Sequence, residues 1–530
     1  MNASAPFPHA SSTSKMPEQQ LARILVSKGL ISPPQVQHAA GRRTAHKSFA
    51  QVLVEEGFVT QLDILEVDPN ALSAASAQSA PPQPEAQLPC AREAIAEDTP
   101  EVLAPEVGLG QDETGPLDEG VQIVGETRQE DDTIPNFVVH YCNSLLHFAV
   151  QLRASDLHLE PREDSLLPRY RVDGALRTFG EPIDKEFQAP IISRFKVLSN
   201  LDITENRLPQ DGRFRAIVGG RTFDFRVSTL PGIHGEKMVM RLLDRTALVT
   251  DLTKLGFADS ERELFQEMLG RSYGLILVTG PTGSGKTTTL YAALAATLDE
   301  AKNVITVEDP VEYEMPGVTQ TGIHTEIGLT FATQLRAILR QDPDVILVGE
   351  IRDGETADIA VRAALTGHLV LSTLHTNSAS AAVARLQDMN VPNFLLASSL
   401  SGILAQRLVR LICRHCRTTV DPSDPQYQID ITRLRLPEGS PLYQGAGCEA
   451  CNGTGLRGRM ALIELMNVDG PIRAAIARGE TADQIRDLAF KSGMKSLWRD
   501  GQEKVLRGLT TAGEVARALL GAEDVEMVLE

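Results

Sequence analysis

Aromatic side chains are scarce. One Trp, 7 Tyr and 16 Phe make up 5% of the 530 residues, too few to read as a stacking platform for single-stranded nucleic acid. Positive charge is in deficit as well: 51 Lys and Arg face 70 Asp and Glu, a net charge of −19. That balance opposes a broad phosphate-tracking surface, and no nucleic acid partner is expected. Much of the excess is local, since residues 91–132 carry 13 acidic side chains against 2 Arg. No apolar run approaches the roughly 18–20 residues needed to cross a bilayer, so no direct membrane span is expected. The opening MNASAPFPHASSTSK has no basic stretch followed by an apolar one; it does not read as a secretory signal, and a cytoplasmic location is expected. Six cysteines in so long a chain do not make a disulfide scaffold.

The length implies three or four domains at about 150 residues each. A short internal repeat opens the chain: LARILVSKGLIS at 21–32 matches FAQVLVEEGFVT at 49–60. Each copy reads as a helix closed by a glycine, Gly29 or Gly57, followed by a Ser or Thr that caps the next. A small helical docking domain is therefore expected over 15–67. Residues 68–132, as in SAASAQSAPPQPEAQ, hold no sustained apolar period and read as an acidic flexible linker. Over 133–245 a helical stretch precedes alternating segments such as FRAIVGGRTFDFRVSTL, which predicts an α+β domain. From 255 to 410 short apolar runs, LILVT, VITVE, VILVG and LVLST, alternate with helical patterns. That is the signature of a mostly parallel sheet covered on both faces. A cysteine-bearing segment over 411–462 and a helical region over 463–530 complete the chain.

The residues Gly280, Pro281, Thr282, Gly283, Ser284, Gly285, Lys286 and Thr287 fit G-x-x-x-x-G-K-[ST], with Thr288 next. The motif follows a predicted strand and opens a predicted helix, the context it requires. Its glycines let backbone N–H groups turn inward around phosphate oxygens, and the helix adds its positive end. Lys286 is placed to reach the β- and γ-phosphates, and the Thr287 hydroxyl to ligate Mg²⁺, so ATP is the expected nucleotide. Glu308, Asp309 and Glu312 lie at and just past the end of the strand VITVE. An acidic loop by itself is more often a solvated turn, but here it lies at the strand end where α/β sheets place their ligands. Glu350 ends VILVG and offers the second acid a P-loop enzyme uses for Mg²⁺, through a water if not directly. His375 ends a further strand on the same edge and fits a γ-phosphate sensor or a structural residue equally well.

Cys413 and Cys416, then 31 residues, then Cys448 and Cys451 form two CxxC knuckles. Four thiolates at that spacing suit tetrahedral Zn²⁺ with no open position, a structural site. Cys142 sits in a helical pattern and reads as a buried thiol.

The ordered run ASDLHLEP (154–161), LPQDGR (208–213), FRVSTLP (225–231), the P-loop, VEDPVE (307–312), LRQDPDVILVGEIRD (339–353), TGHLVLSTLHTN (366–377) and the four cysteines resembles the hexameric ATPases of type II secretion and type IV pilus assembly. The resemblance covers roughly residues 133–515. It implies a RecA-like P-loop domain preceded by a PAS-like α+β domain. It also implies a homohexamer that uses ATP, Mg²⁺ and Zn²⁺ and docks its N-terminal domain on an inner-membrane partner. Glu312 matches the general base of that family, Glu350 its Mg²⁺ acid, and His375 its histidine box. Arg207, Arg213, Arg226 and Arg241 fall in strands whose arginines reach over the nucleotide in that family. GPTGSGKTTTLYAAL and FLLASSLSGILAQRLVRLIC lean towards the type II secretion branch, with pilus extension as the alternative. Some relatives bind cyclic di-GMP through N-terminal repeats that open Arg-Leu-Gly. Gln20-Leu21-Ala22 and Ser48-Phe49-Ala50 stand here instead, which argues against that ligand.

Overall fold

The computed structural model describes residues 121–124, 135–245 and 250–519. All of these fall within one compact unit, Pro100–Glu530. The helical repeat expected at 15–67 lies outside the described residues.

An eight-stranded antiparallel sheet comes first, in the order β1-β6-β7-β8-β2-β3-β4, with β5 paired to β3. Its strands are β1 (Val121–Ile123), β2 (Asp156–Pro161), β3 (Ser165–Val172), β4 (Ala175–Thr178), β5 (Ile183–Asp184), β6 (Gln210–Val218), β7 (Arg221–Gly232) and β8 (Gly235–Asp244). The expected linker ended at 132, but Val121–Ile123 pairs with Val218–Ala216 at the sheet edge. That boundary therefore moves: a three-residue strand needs only one inward apolar position, Val121, which is too little to stand out in an acidic stretch. Burial alternates along the longer strands, so Phe214, Ala216, Phe225 and Val227 face the core with the helices Asn136–Gln151 and Gln188–Leu198. Phe214 and Phe225 stack across the strands at 4.6 Å. Cys142 is buried there, and burial pushes its thiol up to about 12. In the alternate register Arg213 stands beside Arg226, Arg226 beside Arg241, and Arg241 beside Asp156. The period of two thus gathers arginines in a row across the sheet.

The second sheet has seven strands in the order β11-β10-β12-β13-β9-β14-β17. These are β9 (Gly274–Thr279), β10 (Val304–Glu308), β11 (Thr319–Gly322), β12 (Val345–Val348), β13 (Leu369–Leu374), β14 (Leu400–Ile412) and β17 (Leu456–Asn467). All neighbours are parallel except β14 and β17. Two cores explain the near-continuous apolar runs. Leu275, Leu277, Val307, Ile346 and Val370 face one helical layer, while Ile276, Val278, Val304, Leu347 and Leu371 face the other. The expected division at 462 falls inside β17, which pairs with β14 along its length from Gly402↔Asn467 to Ile412↔Leu456. The cysteine segment is an excursion between two paired strands of the same sheet. Its small sheet pairs β15 (Arg417–Thr419) with β16 (Tyr443–Gly445).

The helix Leu497–Leu506 packs its buried Asp500 and Lys504 against β17. Asp500 accepts from the backbone N–H of Ile463 at 2.7 Å, Lys504 donates to the Ala461 carbonyl at 2.7 Å, and the two side chains pair with each other. Removing one partner strands the other charge. Asp500→Ala should therefore destabilise the domain by about 3–5 kcal/mol, read as a lowered calorimetric midpoint that Lys504→Met on top of Asp500→Leu largely restores.

Candidate nucleotide and metal sites

β9 ends at Thr279, and the chain must turn sharply to begin the helix Lys286–Thr297. Gly280 takes φ +149° and Gly285 φ +89°. A Cβ on Gly280 would sit 2.5 Å from the Gln406 carbonyl oxygen, so only glycine fits. Gln406 on β14 braces the loop by donating to the Ser284 carbonyl at 2.6 Å and accepting from Thr289 at 2.9 Å. The sequence did not mark Gln406, since no local pattern ties it to a motif more than a hundred positions earlier. Lys286 is buried, and its Nζ donates to the carbonyls of Gly280 at 2.8 Å and Pro281 at 3.1 Å. Burial pulls its pKa down while Glu350 opposes the shift. Ser284 Oγ is buried without a hydrogen-bond partner. A cation tied only to loop carbonyls and an orphaned hydroxyl inside a glycine loop fit the oxygens of a polyphosphate.

A cavity of about 400 Å³ opens over this loop and is lined by residues 282–288 with Glu308, Asp309, Glu312, Glu350 and His375. The strand ends thus bring the predicted acids and the histidine together with Lys286, Thr287 and Thr288. Glu350 follows β12 and pairs with Arg352, while His375 Nε2 lies 3.5 Å from its other oxygen. Burial raises the Glu350 carboxyl, but Arg352 and His375 outweigh it and hold the pKa below the ordinary value. Glu350 therefore stays ionised and suits a divalent cation. Arg352 also reaches Asp309 at 3.5 Å. Its place two residues after Glu350 was the only signal of it in the sequence.

Arg226 of the first sheet reaches an acid of this cavity. Its Nη1 and Nη2 donate to the Glu312 carboxylate at 3.1 and 2.6 Å, a bidentate pair between residues 86 positions apart. The other arginines do not pair with Glu312. Arg213 and Arg241 line, together with Arg226, Asp156 and Asp211, a second cavity of about 550 Å³, and Arg241 pairs with Asp156 at 3.0 Å. Arg207 is exposed and bonded to Glu205. A second bridge joins the sheets: Asp173, on the β3–β4 turn, accepts from the Gly458 N–H at 2.7 Å. Next to Gly458, Arg459 lines the nucleotide cavity, a placement no sequence pattern announced.

The Sγ atoms of Cys413, Cys416, Cys448 and Cys451 all lie within 4.8 Å of one another. Cys413–Cys448 and Cys416–Cys451 are 3.8 Å apart and Cys448–Cys451 is 3.7 Å. A tetrahedron with Zn–S bonds of about 2.3 Å has edges of about 3.8 Å, so the sulfurs stand at metal-site spacing. The N–H groups of Cys448 and Gly455 each donate to Cys451 Sγ at 3.2 Å and favour a thiolate.

A sequence profile described as "Type II/IV secretion system protein" matches residues 129–517. The chain belongs to that family. It is 50% identical over 380 residues to the type II secretion system protein E of Dickeya dadantii, covering 72% of this chain and 75% of that one. It is 50% identical over 366 residues to the type IV pilus assembly ATPase PilB of Thermus thermophilus, covering 68% of this chain and 41% of that one. The fold is also that of the Legionella pneumophila ATPase DotB, with a TM-score of 0.54 at 21% identity over 72% of this chain and 96% of DotB. No helix among the described residues is long and apolar enough to cross a membrane.

The cysteine geometry has a direct check. Purified reduced protein should carry about one zinc per chain by metal analysis. Cys413→Ser should release it and expose the region around 413–455 to proteolysis, because structural zinc contributes folding energy directly. Protein without zinc in a folded segment would refute the assignment.

Proposed function

We propose that this chain is the ATPase motor of a type II secretion system, a homohexamer that drives pseudopilus growth from the cytoplasmic face of the inner membrane. Its N-terminal domain would dock on a membrane platform protein. Family membership makes it an ATP hydrolase, and the observation that carries the motor reading is the Arg226–Glu312 pair. It joins the α+β domain to an acid of the nucleotide cavity.

In this reading Lys286 leaves the loop carbonyls and neutralises charge on the β- and γ-phosphates. Ser284 and the loop glycines cradle the phosphate oxygens. Thr287 and Glu350 would hold Mg²⁺, which supplies charge neutralisation as the phosphoryl group departs. Glu312 orients the attacking water and accepts its proton, with His375 beside the γ-phosphate. Arg226 engages both oxygens of the Glu312 carboxylate and competes with a water for them. Arg226 must therefore shift from Glu312 towards the nucleotide as the site becomes competent. Arg213, without an ion pair among the described residues, is free to follow on the same row. Each turnover then makes and breaks a contact between two domains, which is how hydrolysis would become displacement. The four cysteines would hold Zn²⁺ as a structural brace. The Thermus pilus ATPase matches at the same identity as the type II protein. Pilus extension is therefore the second reading, and neighbouring genes for a secretion channel or for pilins would separate the two.

Glu312→Gln keeps the shape of the side chain but cannot take a proton. Turnover should fall on the order of 10²–10⁴-fold, while nucleotide affinity by a fluorescent analogue stays near wild type. Loss of affinity with high residual turnover would make Glu312 a binding residue instead.

The assembly is tested by dilution. Specific activity should rise with protein concentration as light scattering reports the ring forming. Arg226→Ala should lower turnover on the order of 10²-fold or more with a smaller effect on affinity. A monomer that is fully active at all concentrations, and indifferent to that change, would remove the ring motor and leave the ATPase.

A further inference from the structure

Glu308 ends β10, is buried, and lines the nucleotide cavity. Its carboxylate accepts from Thr306 Oγ1 at 2.6 Å, from Gln320 Nε2 at 3.1 Å and from the Tyr291 hydroxyl. Among the described residues no Lys, Arg or His pairs with it. A buried carboxylate met only by neutral donors is a costly choice where a glutamine or a methionine would fill the space. Its partners show what that choice serves.

Residues 309–314, which carry Glu312, make no backbone–backbone hydrogen bond among the described residues. The far end of this loop is held by side chains. Tyr291 Oη accepts from the Tyr313 N–H at 3.4 Å, and the two rings meet edge to face at 5.7 Å. Gln320 donates to the Tyr313 carbonyl at 2.9 Å and accepts from the Met315 N–H at 2.7 Å. Tyr291 belongs to the P-loop helix and Gln320 to β11, and Glu308 is the group that orients both. Burial and the adjoining carboxylate raise the Tyr291 pKa, which keeps its hydroxyl a donor to Glu308.

We propose that Glu308 is a positioning residue that, through Tyr291 and Gln320, fixes the backbone at 313–315 and so sets the place of Glu312 in the nucleotide cavity. The inference rests on Glu312 acting as the base. It adds a mechanical link from the P-loop helix to that base: Tyr291 lies on the helix that Lys286 begins, so a shift of the loop on phosphate binding is transmitted to the Glu312 backbone.

The test is a double-mutant cycle in the full chain, read by single-turnover hydrolysis and by binding of a fluorescent ATP analogue. Glu308→Gln places an amide NH₂ against donors and should lower the hydrolysis rate by about 10- to 100-fold, the usual cost of a misplaced group. Affinity should stay within about twofold, as expected when only transition-state interactions are lost. Introduced into Glu312→Gln, the same change should cost nothing further, since it acts only through Glu312. Tyr291→Phe should show a smaller loss with the same non-additivity, and it carries the test if Glu308→Gln does not fold. Equal losses in both backgrounds, or unchanged hydrolysis in Glu308→Gln while Glu312→Gln has collapsed, would overturn the positioning role alone. Near-normal hydrolysis in Glu312→Gln would instead remove the base assignment on which it rests.

Discussion

Parallel neighbours cannot be joined by a tight turn, so each connection must climb back over a face of the sheet. The central strands β9, β10, β12 and β13 are parallel neighbours or share one, and this single constraint arranges much of the ATPase domain. Helices cover both faces, the strands become apolar throughout, and all four strand ends emerge at one edge. The P-loop, Glu312, Glu350 and His375 need no common sequence pattern to meet, because the topology delivers them to the same rim. β14 extends that rim and supplies Gln406, while the antiparallel β17 closes the sheet and returns the cysteine excursion to the fold.

Charge at the rim is handled by pairing rather than by solvent. Glu350 is held ionised between Arg352 and His375, and Glu312 is held by Arg226. Lys286 is satisfied by loop carbonyls. Glu308 is different: its partners are the neutral donors of Thr306, Gln320 and Tyr291. The cavity therefore combines charged pairs, one of which joins the two sheets, with a neutral network around Glu308.

The antiparallel domain contributes a different geometry. With one face committed to its own core, every second residue is released to the other face, and cross-strand register sets Arg213, Arg226 and Arg241 side by side. Of the three, Arg226 pairs with an acid of the nucleotide cavity, and Arg213 holds the adjoining register position on the same row. Asp173 holds Gly458, giving the two sheets a second contact, next to Arg459 of the cavity lining.

The amino-acid sequence by itself determined whatever depends on near neighbours along the chain. The P-loop is a backbone shape, and its glycines and lysine lie within eight residues. Each CxxC knuckle is likewise local, while the fold brings the four sulfurs within 4.8 Å of one another. The buried strands were legible as apolar runs because both of their faces are covered. The tertiary structure alone decided which distant groups share a contact. Nothing near Glu312 names Arg226, nothing near the P-loop names Gln406, and Val121–Ile123 is too short to outweigh the acidic composition around it. Glu308 was legible as an acid at a ligand-bearing strand end, and only packing turned it inward to Tyr291 and Gln320. Side-chain pairing across sheets is fixed by topology and register, and these are properties of the whole folded chain rather than of any window along it.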